Sequence, residues 1–163
     1  MGARIRALLA RGVTRLKPAK IRFYFDADTL GLAHTIVQLR RDVTYPGDPG
    51  GTIFKHIRPP CEITPETRDS VWIPLVSSKG WLIVTRDRRI QDHTAEINAV
   101  RQHGARMVVL SGAESAGTFA QLEILMCRWR DIERCLDQPG PFIYTATRTS
   151  FKAVQLTSTE SVT

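Results

Sequence analysis

Apolar and polar positions along this chain switch between two periods, and the switching predicts strands and helices in turn. Ile21-Arg22-Phe23-Tyr24-Phe25 is a nearly continuous apolar run, the pattern of a strand covered on both faces. Leu30, Ala33, Ile36 and Val37 then recur at helical spacing, which predicts a helix over about 29–41. Val43-Thr44-Tyr45 is a second, shorter strand candidate. Pro46, Gly47, Pro49, Gly50, Gly51, Pro59 and Pro60 crowd the next stretch, so 46–61 is expected to be an irregular loop. Thr64 before Pro65 offers a capping hydroxyl and a proline at a first helical position. Val71, Trp72, Leu75 and Val76 give that helix an apolar face, and Gly80 ends it. Trp81–Val84 reads as a strand, 92–103 as a helix, Arg106–Leu110 as a strand and 118–137 as a long helix. Leu122, Leu125, Met126, Trp129, Ile132 and Leu136 mark one face of that last helix, a core-facing stripe. Pro139-Gly140-Pro141 breaks the chain before a closing strand pair, Phe142–Ala146 and Phe151–Leu156.

Strands alternating with helices over short connections predict an α/β fold, a central, mostly parallel sheet flanked by helices on both faces. A chain of 163 residues has room for one such core. Its charge is uneven. Residues 1–20 carry Arg4, Arg6, Arg11, Arg15, Lys17 and Lys20 and no acid, which leaves 17 basic against 16 acidic residues elsewhere. The surplus of +7 therefore belongs mainly to an N-terminal arm, 1–20, which suits a tether to phosphates. The domain proper is expected over 21–156, with a polar tail at 157–163. No apolar run approaches the roughly 20 residues of a membrane span. The three cysteines, Cys61, Cys127 and Cys135, show no metal-binding spacing and read as reduced thiols of a cytoplasmic protein.

The candidate chemistry lies in acids at strand and helix ends. Asp26 ends the first strand, Asp69 falls in the early turns of a helix, and Asp87 follows Thr85-Arg86 at the end of the next strand. Carboxylates at the carboxyl ends of parallel strands meet at the crevice where such sheets bind ligands. Several of them together resist full ionisation without a cation, which points to Mg²⁺ or Mn²⁺. Arg86, Arg88 and Arg89 flank Asp87 and are candidates for substrate phosphates. His56 and His93 are candidate proton carriers.

Phe23-Tyr24-Phe25-Asp26, Asp69-x-x-Trp72-Ile73 and Ile83-Val84-Thr85-Arg86-Asp87-Arg88, in that order, resemble the PIN-domain nucleases. The runs DVTYPGD at 42–48 and PGPFIYTATR at 139–148 are similar to the VapC-like toxin branch. The resemblance spans about 21–156. It implies a PIN-like three-layer sandwich and Mg²⁺- or Mn²⁺-dependent cleavage of RNA. Asp26, Asp69 and Asp87 match the family's acids, and Thr85 matches the neighbouring hydroxyl that orients a metal-bound water. It also implies a cognate antitoxin protein and a homodimer as partners. The chain departs from the family where another acid is usual. Asp48, Glu62 and Glu66 are the acids nearby, so Asp48 or Asp28 completes the metal set, or the site is depleted. A depleted site would leave a PIN-like module that binds RNA or protein without cleaving. A third reading starts from Asp26-Ala27-Asp28-Thr29, similar to the DxDxT of haloacid-dehalogenase phosphatases, with the Thr one residue early.

Overall fold

The computed structural model describes residues 15–86, 94–112 and 117–156. Its elements are β1 (Lys17–Pro18), β2 (Phe23–Phe25), α1 (Leu30–Ile36), β3 (Val43–Thr44), β4 (Gly51–Ile53), β5 (His56–Arg58), α2 (Asp69–Ser78), β6 (Leu82–Thr85), α3 (Thr94–His103), β7 (Arg106–Leu110), α4 (Thr118–Arg134), β8 (Phe142–Ala146) and β9 (Phe151–Ala153). The main sheet has the order β3-β2-β6-β7-β8-β9, parallel except for β9, which pairs antiparallel with β8.

The strand alternation sorts the core into two layers. Phe23, Phe25, Leu82, Val84, Val108 and Leu110 point to one face, where Leu32, Ala33 and Ile36 of α1 and Ile124, Leu125 and Ile132 of α4 cover them. Tyr24, Ile83, Met107 and Val109 point to the other, against Trp72, Ile73 and Val76 of α2 and Val100 of α3. Helices, sheet and helices thus form three layers. The chain leaves β2 for β3 on one side and for β6 on the other, so the sheet's switch point opens between the carboxyl ends of β2 and β6.

Three elements differ from the pattern-based reading. The expected loop at 46–61 contains a hairpin, β4 against β5, and β1 joins β5 in parallel to make a small second sheet. Lys17 and Pro18, assigned by charge to the arm, are therefore part of the fold. A buried ion pair under the hairpin accounts for this order in a Gly/Pro-rich segment: Arg58 bonds Asp48 and donates to the carbonyl of Val43 at 3.1 Å. Gly50 is required there, because at φ +77° a Cβ would lie 2.5 Å from the carbonyl oxygen of Arg58.

The second difference is the start of α2. Thr64 and Thr67 bond to each other's hydroxyls at 3.2 Å, and Thr67 N–H donates to the Thr64 carbonyl at 3.0 Å. This closes a separate turn over Pro65 and postpones the helix, so Asp69 is its first residue rather than a residue one turn in. The third is the expected 29–41 helix, which begins as a 3-10 turn, Ala27–Thr29, and runs as α1 only to Ile36.

Candidate active site

The site is built at the switch point. Asp26 leaves β2 with its N–H bonded to the Val84 carbonyl at 2.9 Å, so the sheet itself fixes its backbone. Its carboxylate accepts from Ala27 N at 2.6 Å and caps the 3-10 turn, which aims Asp28 back across the crevice. Thr85, buried at the end of β6, donates its hydroxyl to Asp28 at 3.1 and 3.2 Å, and Arg86 N–H donates to the same carboxylate at 3.1 Å. Asp69 at the tip of α2 accepts from the indole N–H of Trp72 at 2.9 Å, one helical turn further on. Glu96 in the first turn of α3 closes the other wall.

Asp26, Asp28, Asp69, Thr85 and Glu96 therefore line one cleft of about 50 Å³, floored by Trp72, Ile73 and Met107. A water needs about 10–15 Å³ on such a measure, so the cleft holds a few waters or one partly hydrated ion. Four acids facing one small space repel one another. Burial, then Asp28 and more weakly Asp69 and Glu96, push the Asp26 carboxyl up to about 7 against the opposing Ala27 hydrogen bond. Beneath lies Tyr24, fully buried, its hydroxyl without a hydrogen-bond partner among the described residues. Burial, then Asp26, Cys61, Asp69 and Asp28, raise its phenol well above the usual range, so it stays a neutral O–H under the acids.

The donor set suits a hard divalent cation: every ligand is oxygen, and the crowded carboxylates gain from a positive charge. As the side chains stand, no group of three or more Asp, Glu, His or Cys among the described residues is arranged to hold a metal. Mg²⁺ commonly uses only one or two carboxylates and keeps its waters, so these acids fit it in kind without forming a closed cage.

Of the expected residues, Asp26, Asp28, Asp69 and Thr85 come together. Asp87, Arg88, Arg89 and His93 lie outside the described residues, and of Arg86 the structure places the backbone N–H on Asp28. Asp48 is a correction. Its side chain is fully buried in the Arg58 ion pair and also accepts from Gly50 N at 2.8 Å and Thr44 Oγ1 at 3.2 Å. Those donors occupy its oxygens away from the cleft and leave it no role as a metal ligand. Thr85 holds a carboxylate rather than standing open to orient a water. Glu96 was missed. Its sequence signal, an acid in the first turn of the helix after Thr85-Arg86-Asp87, also fits a residue that merely favours the helix dipole.

A family model described as a PIN like domain matches residues 22–112, more than half of the chain and the whole stretch that supplies the cleft. No curated protein matched the chain, and no solved structure did. PIN domains are generally nucleases that use divalent metals. On this match the chain belongs to the PIN-like domain family.

Proposed function

We propose that the protein is a divalent-metal-dependent endoribonuclease whose catalytic groups are Asp26, Asp28, Asp69 and Glu96, with Asp87 as a further acid from the chain that follows β6. The observation that carries this reading is the meeting of four acids, Asp26 and Asp28 from the turn after β2, Asp69 of α2 and Glu96 of α3, in one cleft at the sheet's switch point. Asp26, Asp28 and Asp69 would hold Mg²⁺ or Mn²⁺, which when bound supplies an activated water and charge neutralisation at the scissile phosphate. The chain's own contribution is positioning. Thr85 and the Arg86 N–H fix Asp28, Trp72 fixes Asp69, and the β6 hydrogen bond fixes Asp26. Without metal, burial and the neighbouring acids hold the Asp26 carboxyl up at about 7, and a bound cation would favour its charged form. Arg86, Arg88 and Arg89, basic residues that flank Asp87 in the sequence, are the proposed contacts to substrate phosphates.

The resemblance to VapC-like toxins supports a finer reading, the toxin of a toxin–antitoxin pair, with a cognate antitoxin and a homodimer as partners. Among the described residues no helix is long and apolar enough to cross a membrane, and the proposed setting is the cytoplasm. The absence of a ready three-ligand group among the described residues favours a second reading, a PIN-like RNA- or protein-binding module without cleavage.

Incubation of purified protein with a labelled single-stranded RNA, with Mn²⁺, Mg²⁺ or EDTA, separates the two. The nuclease reading expects metal-dependent fragments that disappear for Asp69→Asn. RNA bound but intact in every condition supports the module and ends the nuclease proposal.

A further inference from the structure

A larger concavity than the cleft lies elsewhere among the described residues. It has about 720 Å³ and is lined by Pro18, Lys20, Arg22, Leu39, Arg40, Arg41, Asp42, Phe54 and His56. Arg22 and Asp42 precede β2 and β3, whereas Asp26 and Thr85 lie at the carboxyl ends of β2 and β6. The groove therefore opens at the sheet edge opposite the acidic cleft, between the main sheet and the small sheet of β1, β4 and β5.

Its charge is one-sided: Lys20, Arg22, Arg40 and Arg41 against Asp42 alone. Asp42 does not quench them. Its carboxylate bonds Arg22 at 2.7 Å and Arg40 at 2.8 Å, and so holds two guanidiniums in place while leaving a positive excess. Arg40 is further fixed over the Trp129 ring at 4.4 Å. Arg41 lies 3.2 Å from His56 Nε2, and His56 Nδ1 bonds the Phe54 carbonyl at 2.8 Å. A tautomer with Nδ1–H donating to Phe54 leaves Nε2 to accept from Arg41. Fixed guanidinium forks lose little freedom on meeting a phosphate.

Phe54 adds an aromatic surface. It is 70% exposed at the tip of the β4–β5 hairpin. Phe54 and Lys55 both have positive φ, 46° and 63°, the left-handed pair of a tight turn where Asn-Gly would be comfortable. A bulky ring held there in water is an outlier that the fold does not need. Leu39, 63% exposed, lies across the groove from it.

We propose that this groove is a second nucleic-acid site, in which Lys20, Arg22, Arg40 and Arg41 bind the phosphates of single-stranded RNA and Phe54 stacks on a base. The choice of RNA rests on the ribonuclease reading. The phosphate chemistry does not. A cationic track with an interleaved exposed aromatic is what single strands require. Through it the protein holds a strand at a distance from the cleft, so long RNA is favoured over short.

The test uses fluorescein-labelled dodecauridylate and fluorescence anisotropy, in EDTA so that cleavage does not intervene, across a KCl series. For Lys20→Gln/Arg41→Gln the expected result is a weaker Kd and a slope of log affinity against log salt shallower by about 1.4, since each single-strand phosphate contact contributes about 0.7. Phe54→Asn should bind about 5- to 100-fold more weakly with the slope unchanged, the signature of lost stacking. Asn accepts the left-handed conformation, so this variant keeps its fold and its Tm even if the double variant does not. Wild-type affinity and slope in Phe54→Asn and the folded double variant would overturn the proposal. So would no RNA binding by the wild type at low salt, or displacement of RNA by oligoglutamate at equal charge concentration. Groove-dependent binding by a protein that never cleaves would sink the nuclease reading and leave the groove standing. Cleavage with groove-independent binding would do the reverse.

Discussion

Replacing Asp26 with asparagine should stabilise the metal-free fold, and the gain should depend on pH. The Asp26 carboxyl is raised from 3.8 to about 7 by burial and by Asp28, Asp69 and Glu96. A carboxyl with a raised folded value binds a proton more tightly in the native state than in the unfolded chain. The stability contributed by Asp26 is therefore fullest below about pH 4 and is lost as pH rises through about 7. The shift of roughly three units corresponds to about 4 kcal/mol above pH 7, an upper bound because the cleft opens to solvent. Asparagine keeps an oxygen to accept from Ala27 N and removes the charge. At pH 8 in EDTA the variant should gain several degrees in Tm, since about 1 kcal/mol is worth about 2–4 °C in a domain of this size class. Near pH 4 the two proteins should melt together. Differential scanning calorimetry across pH 4–8 reads both. An advantage of equal size at every pH, or a variant less stable at pH 8, would refute the claim that the acids repel one another in the cleft.

Two further substitutions separate scaffold from site. Arg58→Met should cost about 3–5 kcal/mol by leaving Asp48 buried and unpaired, and Asp48→Asn added to it should restore much of the loss, as read by urea denaturation. Trp72→Phe removes the donor to Asp69 and, if the cleft binds a cation, should weaken Mn²⁺ affinity by about tenfold, while costing only about 1 kcal/mol of stability. Unchanged Mn²⁺ affinity in Trp72→Phe would mean that the indole hydrogen bond does not position Asp69 for a metal.

The main sheet was legible because its strands carry the answer in their own period. Phe23 and Phe25 face one layer and Tyr24 the other, and Asp26 follows where the run ends. The long helix was legible for the same reason, with Leu122, Leu125, Trp129 and Ile132 facing the core, although Met126, expected on the same stripe, is exposed. What the pattern hid depends on contacts remote in sequence. The hairpin at 51–58 exists because Arg58 reaches back to Asp48 and Val43, and nothing local in a Gly/Pro-rich stretch announces that. The same contact turned Asp48 from a plausible ligand into a structural anion. Glu96 joins the cleft only because α3 packs beside α2, a tertiary relation without a local spacing rule. Thr85 lines the cleft beside the acids, yet its partner, Asp28, lies 57 residues away in the chain.

Electron paramagnetic resonance of Mn²⁺ titrated into the metal-free protein at pH 8 tests the central claim most directly. Binding in the cleft should remove the free-ion signal, be competed by Mg²⁺ and be markedly weaker in Asp26→Asn and Asp69→Asn, with the compensated Arg58→Met/Asp48→Asn variant binding as tightly as the wild type. A free-ion signal that titrates identically with wild type and both cleft variants would contradict it.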